Sequence, residues 1–285
     1  MTKRRSFIKT AGALGGAGLI AGCTGGESES GGGATEDTAT SEETDEPTAT
    51  ATDVPYNDGR VTFYMSPSEP QQLMESQYAP VRNHLEETTG VTTNLNYAAG
   101  YSAVLQSLGG GSGDIAETGP FAAALGVNEG RCDVALQRYA YGSWEYSSVI
   151  VTQAGSDISS LADLEGERVA FADRLSASGA LFPLFMLKQA GLDIGDLPTD
   201  TGSATIEPQF SSHAEAFAAL ERGQVAAAGV GKFISLNDNR ELKDGFEYVE
   251  EYDGIPRAPV ITSPALSDAE KTELTEAFLD APDSL

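Results

Sequence analysis

A short run of small polar residues is the most chemically suggestive stretch of this 285-residue chain. Ser176, Ser178 and Gly179 follow a β-rich run and precede a helical one. The first turn of a helix carries unsatisfied N–H groups and about half a positive charge, so it binds an anion without Lys or Arg. A serine at this position is also an ordinary N-cap. Two hydroxyls on either side of Ala177, followed by glycine, make anion binding as good an interpretation as capping.

Other strand-to-helix turns carry similar residues. Ser212 and Glu215 have capping-box spacing, which predicts His213 in a first helical turn, either donating to an anion or simply exposed. Thr118 and Tyr101 lie at two further turns of this kind. Because ligands of open α/β sheets bind beyond the carboxyl ends of the strands, these turns predict one shared cleft.

The common enzyme motifs are absent from the sequence. It contains no G-x-S-x-G elbow, no P-loop and no dinucleotide-binding G-x-G-x-x-G after a strand. Two histidines and two cysteines do not assemble a usual metal site. We therefore predict a protein without catalytic activity, metal or cofactor. The alternative, a secreted hydrolase, would use Ser178 as nucleophile and His213 as base.

The charge excludes another class of protein. The chain has 43 acidic and 17 basic residues, a net charge of -26, so it does not bind nucleic acid through a basic surface. Residues 59–285 alone hold 33 acidic and 13 basic residues. Such a surface stays screened in concentrated salt, where the Debye length is about 3 Å at 1 M. The composition predicts a protein of a halophile; an acidic secreted protein of an ordinary organism is the alternative.

Residues 1–23 are typical of an export signal. Their apolar stretch is too short to span about 30 Å of hydrocarbon as a helix. Arg4-Arg5 followed by Phe7 resembles the twin-arginine signal, and Ile20-Ala21-Gly22-Cys23 resembles a lipobox, in which the Cys23 thiol receives a diacylglycerol thioether. We predict a lipid anchor at Cys23 on the outer face of the cytoplasmic membrane.

The segment after the signal predicts a tether. Residues 24–58 are Gly, Ser, Thr, Glu, Asp and Pro with almost nothing apolar, which is typical of a disordered linker. With Cys23 lipidated, Cys132 has no cysteine partner and is predicted to be a buried structural thiol.

Beyond residue 59 the pattern predicts a two-lobed α/β fold. Short β-rich runs alternate with helical ones, which is typical of mostly parallel sheets. We assign residues 59–147 and 246–285 to the first lobe and 148–245 to the second, with hinge crossings near residues 148 and 246. The predicted strands are 61–65, 92–97, 114–117, 134–139, 148–152, 168–172, 204–210, 225–230, 246–252 and 259–262.

These residues carry a family resemblance. Ser176-Ala177-Ser178-Gly179 with Ser212-His213 downstream resembles the phosphate/phosphite/phosphonate-binding proteins of ABC importers, from about residue 61 to the last helix. The resemblance implies a type II periplasmic-binding-protein fold that closes on its ligand about a hinge, and an ABC permease with its ATPase subunit as partners. It also implies that a phosphorus oxyanion contacts Tyr101, Thr118, Tyr146, Ser176, Ala177, Ser178, Gly179 and His213.

The chain departs from this family at three positions. Ala177 stands where a Thr is common, which removes one hydroxyl contact. Phe233 and Ala258 stand where members that bind aminoalkylphosphonates have carboxylates for the ammonium group. Burying an ammonium without a carboxylate is costly. We therefore expect a monomer that binds phosphate, phosphite or a small alkylphosphonate; another anion, such as a sulfonate or a carboxylate, is the alternative.

Overall fold

The computed structural model describes residues 55–56 and 58–282, so the predicted signal, Cys23 and most of the predicted linker lie outside the described residues. The strands are Arg60–Met65 (β1), Thr92–Tyr97 (β2), Ile115–Glu117 (β3), Asp133–Gln137 (β4), Glu145–Gln153 (β5), Arg168–Phe171 (β6), Glu207–Phe210 (β7), Ala227–Gly231 (β8), Phe246–Pro256 (β9) and Pro259–Thr262 (β10). The α-helices are Gln71–Thr89 (α1), Tyr101–Gly109 (α2), Pro120–Asn128 (α3), Phe182–Gln189 (α4), His213–Glu221 (α5) and Asp268–Leu279 (α6).

The strands form two five-stranded sheets of similar topology. The first has the order β2-β1-β3-β10-β4 and the second β7-β6-β8-β5-β9. In each, three neighbouring strands are parallel: β1 lies between β2 and β3, and β6 between β7 and β8. The strands that carry the chain across, β10 and β5, are antiparallel to their neighbours. The predicted α/β class is confirmed, with mixed rather than mostly parallel sheets.

The sequence pattern explains how these elements pack. The central strand β1 is buried on both faces, as expected for a strand covered by helices on each side. Helix α1 turns Met74, Tyr78 and Leu85, at near-helical spacing, toward the core. It ends at Gly90, whose φ of 71° lies in the left-handed region that glycine adopts without strain.

The lobe boundary lies further along the chain than predicted. Residues 246–256 form β9, which is hydrogen-bonded to β5 in the second sheet, so the prediction that the first lobe resumes at 246 is wrong. The chain returns between Pro256 and Pro259. The first crossing is the segment between β4 and β5. Both crossings adjoin the paired strands β5 and β9, whose pairing from Glu145–Pro256 to Tyr146–Ile255 extends beyond the residues of β5 that pair with β8.

The predicted linker also ends earlier than residue 58. Tyr56 is 2% exposed, and its hydroxyl donates to Glu273 at 2.5 Å while its backbone N–H donates to Glu270 at 2.7 Å. Burial of one aromatic ring against α6 therefore attaches this end of the segment to the first lobe.

Two further features concern the predicted environment of the chain. Cys132 is buried and unpaired among the described residues, as predicted, and burial raises the pKa of its thiol to about 11. Across residues 55–56 and 58–282, the helices are too short or too polar to cross a membrane.

Candidate functional site

The serine-rich stretch forms a single π-helical turn, Ala177–Leu181, between β6 and α4. Pro183 explains the wide turn: it has no N–H to offer the carbonyl of Gly179, and that carbonyl instead accepts from Ala172 N at 2.8 Å. The turn therefore stays attached to the end of β6. The N–H groups of Ala177 and Ser178 make no hydrogen bond to the backbone of another described residue, and the polar group that approaches the Ser178 N–H is the Tyr146 phenol.

Only glycine fits at position 179, because a side chain there would clash with its neighbours. A Cβ at this position would lie 2.2 Å from Ala172 Cβ and 2.6 Å from His213 Cε1. Gly179 N donates to Ser176 Oγ at 3.0 Å, so Ser176 caps the turn as well as lining it. The capping prediction for this serine is therefore confirmed, and anion binding by it stays a prediction.

His213 lies on the first turn of α5 and is 1% exposed, against the alternative of an exposed first-turn histidine. Gly231 N donates to Nδ1 at 3.0 Å, and Nε2 lies 3.0 Å from Ser176 Oγ. Since Nδ1 accepts, the proton of the neutral ring is on Nε2, which donates to Ser176. Burial lowers the pKa of His213 to about 4, so the ring is neutral at pH 7.

These contacts define the direction of the Ser176 hydroxyl. Its oxygen accepts from both Gly179 N and His213 Nε2, which occupies its two lone pairs. Its proton is therefore left to donate elsewhere. His213 orients this hydroxyl, and direct contact between the imidazole and an anion stays a prediction.

Two tyrosines close over the same turn. Tyr101, at the start of α2, is 4% exposed, and its phenol lies against the Ser176 hydroxyl. Tyr146, on β5, faces the Ser178 hydroxyl and N–H. Burial raises the pKa of both phenols, so both remain protonated and can donate to an anion without adding charge.

Thr118 is brought to the edge of the first sheet beside a residue that the sequence analysis missed. The hydroxyl of the buried Ser66, which follows β1, lies 2.8 Å from Thr118 Oγ1 and 2.9 Å from the carbonyl oxygen of Glu117. The carboxylate of Glu117 accepts from Tyr78 at 2.6 Å and from Arg138 at 3.0 Å. This acidic group near Tyr101 is therefore paired.

The two lobes touch at this site. Asp173, after β6, accepts from the backbone N–H of Tyr101 at 3.3 Å, and Leu175 packs into the apolar cluster of α2 and α3. Gly100 allows the approach, since a Cβ there would lie 3.0 Å from the Asp173 carboxylate. The structure thus brings Tyr101, Tyr146 and His213 around the turn of Ser176, Ala177, Ser178 and Gly179, while the hydroxyl of Thr118 contacts Ser66; ligand binding by these residues stays a prediction.

The chemistry of this arrangement is binding by neutral donors. The hydroxyls and backbone N–H groups of this turn are buried away from water. A hydrogen bond from such a group to an anion is stronger there than in water. A serine hydrolase would need a histidine with a free basic nitrogen facing its nucleophile. His213 instead presents its protonated nitrogen, and it faces Ser176 rather than Ser178.

Comparison with known sequences identifies relatives of this chain. The model of a family described as the phosphonate-binding periplasmic protein of ABC transporters matches residues 63–284. The phosphate-import protein PhnD of Mycolicibacterium smegmatis is 30% identical over 193 residues, which is 65% of this chain and 60% of that protein. The phosphonates-binding periplasmic protein of Escherichia coli is 25% identical over 77% of this chain and 65% of its own length. The chain thus matches less than two thirds of each relative.

Solved structures share the fold. The binding-protein component of an ABC phosphonate transporter from Pseudomonas aeruginosa superposes with a TM-score of 0.66 at 22% identity, over 79% of this chain and 74% of that one. PhnD1 from Prochlorococcus marinus, solved with methylphosphonate, gives a TM-score of 0.65 at 19% identity, over 79% and 86%. The likeness extends across both lobes, which confirms the predicted two-lobed periplasmic-binding-protein fold.

Proposed function

This chain belongs to the family of periplasmic substrate-binding proteins of phosphonate ABC transporters, and on that premise we propose that it captures a phosphorus oxyanion between its lobes and delivers it to a membrane permease driven by an ATPase. The observation that carries the proposal is the direction of the donors. The Ser176 oxygen accepts from two donors, so its proton can turn from the Tyr101 phenol to a ligand, and the N–H groups of Ala177 and Ser178 lie beside it.

The binding free energy expected from these hydrogen bonds is that of a transport receptor with micromolar affinity. A hydrogen bond to a charged group contributes about 1.5–3 kcal/mol. Four or five of these, less the cost of association, come to the ~8 kcal/mol of micromolar binding. The net charge of the chain is -26, yet distant surface carboxylates are screened beyond about 8 Å at physiological ionic strength. The nearby donors therefore outweigh the distant charge.

The ligand we propose lacks a cationic substituent. Phe233 packs against both Tyr146 and His213, with ring centroids 6.3 and 5.2 Å apart, and supplies no negative charge. Ala258 supplies none either. An ammonium group beside these residues would lose its hydration without gaining a carboxylate, which is costly. The proposed ligands are phosphate, phosphite and small alkylphosphonates.

Calorimetric titration with a panel of anions tests this proposal. We expect phosphate, phosphite or methylphosphonate to bind at least tenfold more tightly than 2-aminoethylphosphonate, sulfate, methanesulfonate and acetate, a difference of about 1.4 kcal/mol or more. Tighter binding of 2-aminoethylphosphonate would contradict the assignment of ligand. Tighter binding of the sulfonate or the carboxylate would move the protein to a receptor for another anion.

We also propose that the protein acts as a monomer anchored by lipid at Cys23, outside the cytoplasmic membrane. The anchor rests on residues 1–23 as a sequence pattern. Expression of the full chain and of Cys23→Ala in a halophilic host, followed by membrane fractionation, tests it. The unaltered chain should be found with membranes and should carry the mass of a diacylglycerol group, whereas the variant should be released. Equal membrane association of both would exclude lipid anchoring at Cys23.

A further inference from the structure

Arg257 lies at the return crossing between β9 and β10 with its guanidinium held in place. Its Nε donates to the carbonyl oxygen of Ser143 at 3.0 Å, and its backbone N–H donates to the carbonyl oxygen of Trp144 at 2.8 Å. These bonds join the two crossings and leave the far edge of the guanidinium, Nη1 and Nη2, with no hydrogen-bond or carboxylate partner among the described residues. A partly buried arginine is thus preorganised, and the two N–H groups on each of Nη1 and Nη2 are left to donate.

A second arginine shares the same aromatic ring. The guanidinium carbon of Arg240, from the second lobe, lies 3.9 Å from the centroid of Tyr141, and that of Arg257 lies 5.4 Å from it. Tyr141 and Arg240 both have left-handed backbone, with φ of 54° and 61°. Such backbone is costly outside glycine and concentrates at functional positions.

The two arginines lack acidic partners although the chain is strongly acidic. Acidic residues outnumber basic ones by 43 to 17, yet in the described part of the chain neither Arg240 nor Arg257 has a carboxylate within 4.0 Å. Arg257 is instead close to other positive charges: besides burial, Arg138 and Arg240 lower the pKa of its guanidinium. Like charges placed together without a counterion repel, and an anion bound between them would relieve that repulsion.

This cationic group borders the anion-binding turn. Tyr146 pairs across the crossing strands with Ile255, two residues before Arg257. The Tyr146 phenol faces the Ser178 hydroxyl, and the positive charge of Arg257 also acts on that phenol and lowers its pKa, against the larger rise caused by burial. Arg257 and Ser178 thus act on the same phenol, that of Tyr146.

We propose that Arg257, supported by Arg240, forms a second anion subsite that receives an acidic substituent of the bound phosphorus oxyanion. The proposal rests on the proposed function and extends it to a substrate class: phosphonates with a second acidic group a short distance from phosphorus. A guanidinium edge with two free donors matches a carboxylate or phosphoryl group in bidentate geometry. Small alkylphosphonates would occupy the turn alone and leave the second subsite unused.

The test compares phosphonoacetate with methylphosphonate by calorimetric titration of the full chain and of two variants. In the unaltered protein, phosphonoacetate should bind at least about tenfold more tightly, the usual worth of one good charged hydrogen-bonded contact. Arg257→Gln should remove this preference and leave methylphosphonate affinity within about twofold. Arg82→Gln removes an arginine of α1 that also lacks a carboxylate partner among the described residues, and it should change neither affinity.

Each other outcome counts against the subsite. Equal affinities for the two ligands in the unaltered protein, or a preference for phosphonoacetate that survives Arg257→Gln, would overturn the second subsite. If methylphosphonate still binds, the proposed function would stand. A parallel loss of both ligands would assign Arg257 to the phosphonate itself or to folding, and thermal unfolding of the variant distinguishes these two. Failure of every phosphorus oxyanion to bind the unaltered protein would overturn the proposed function together with the subsite.

Discussion

Replacing Ser176 separates two roles of its hydroxyl group. The oxygen accepts from Gly179 N and His213 Nε2, each at 3.0 Å, and the proton is left for a ligand. In Ser176→Ala two buried donors lose their acceptor, at about 1–3 kcal/mol each, so the free energy of unfolding should fall by about 2–6 kcal/mol. Oxyanion affinity should also fall by roughly 10–100-fold, because a hydrogen bond to a charged group is lost.

Ser178→Ala is the matched control. The structural bond of Ser178 is made by its carbonyl oxygen, which accepts from Ser148 Oγ at 2.7 Å and is kept in alanine. Its hydroxyl faces Tyr146 and the site. We expect a comparable loss of affinity, with the free energy of unfolding changed by less than about 1 kcal/mol.

Urea unfolding without ligand and calorimetric titration with phosphate measure the two effects separately. Equal unfolding free energies for the two variants would refute the assignment of the Ser176 oxygen as a double acceptor. Unchanged phosphate affinity in both variants would refute the placement of the ligand at this turn. A loss of affinity in Ser176→Ala alone would show that its effect is structural.

Three further predictions follow from the same contacts. Because burial lowers the pKa of His213 to about 4 from an ordinary value near 6.5, the unfolded chain takes up its proton first, and unfolding free energy should fall by about 2–3 kcal/mol between pH 7 and 4.5. Burial raises the pKa of Asp114 to about 6, so Asp114 raises the unfolding free energy as the pH falls, and it does so equally in every variant. The difference in unfolding free energy between the unaltered protein and His213→Gln therefore isolates the histidine. Parallel pH curves for the two proteins would contradict this. Gly179→Ala should lower unfolding free energy by roughly 1–3 kcal/mol and weaken phosphate binding, since its Cβ would lie 2.2 Å from Ala172 Cβ; a thermal unfolding midpoint equal to that of the unaltered protein would argue against the close packing. Phe233→Glu should raise affinity for 2-aminoethylphosphonate relative to methylphosphonate by at least about tenfold, measured by competition, because it places a carboxylate beside Tyr146; an unchanged ratio would separate Phe233 from ligand choice.

Local sequence patterns predicted most of the elements that position the site. Strands β2 and β10 have the predicted bounds, because these depend on nearby apolar spacing. The helical run that was predicted to follow Gly179 instead begins as a π-helical turn at Ala177. The bond from Ala172 N to the Gly179 carbonyl, which supports that turn, is a tertiary contact that no local pattern contains.

The candidate residues of the site were predicted from composition and resemblance, but the hydrogen bonds that each of them makes were not. The sequence suggested that His213 donates to an anion, whereas the structure directs its proton to Ser176 and its other nitrogen to Gly231. Ser66 was missed because a single serine after a strand carries no signal of its own. The prediction that 246 begins the return to the first lobe was wrong, since strand pairing with β5 is a long-range property.

The pair formed by Arg240, in the loop before β9, and Arg257, at the return crossing, was also invisible in the sequence. Arg240 and Arg257 are separated by strand β9, and each is unremarkable alone. Their shared contact with Tyr141 and their lack of carboxylate partners in the described residues depend on how the two crossings fold together. Isolated charges become informative only when their neighbours are known.

A crystal structure of the complex with methylphosphonate tests the central claim most directly. The phosphonate oxygens should lie 2.6–3.2 Å from the N–H groups of Ala177 and Ser178 and from the hydroxyls of Ser176 and Tyr101. No Lys or Arg nitrogen should lie within about 4 Å of those oxygens. A phosphonate bound outside this turn, or held there by a cationic side chain, would contradict the account.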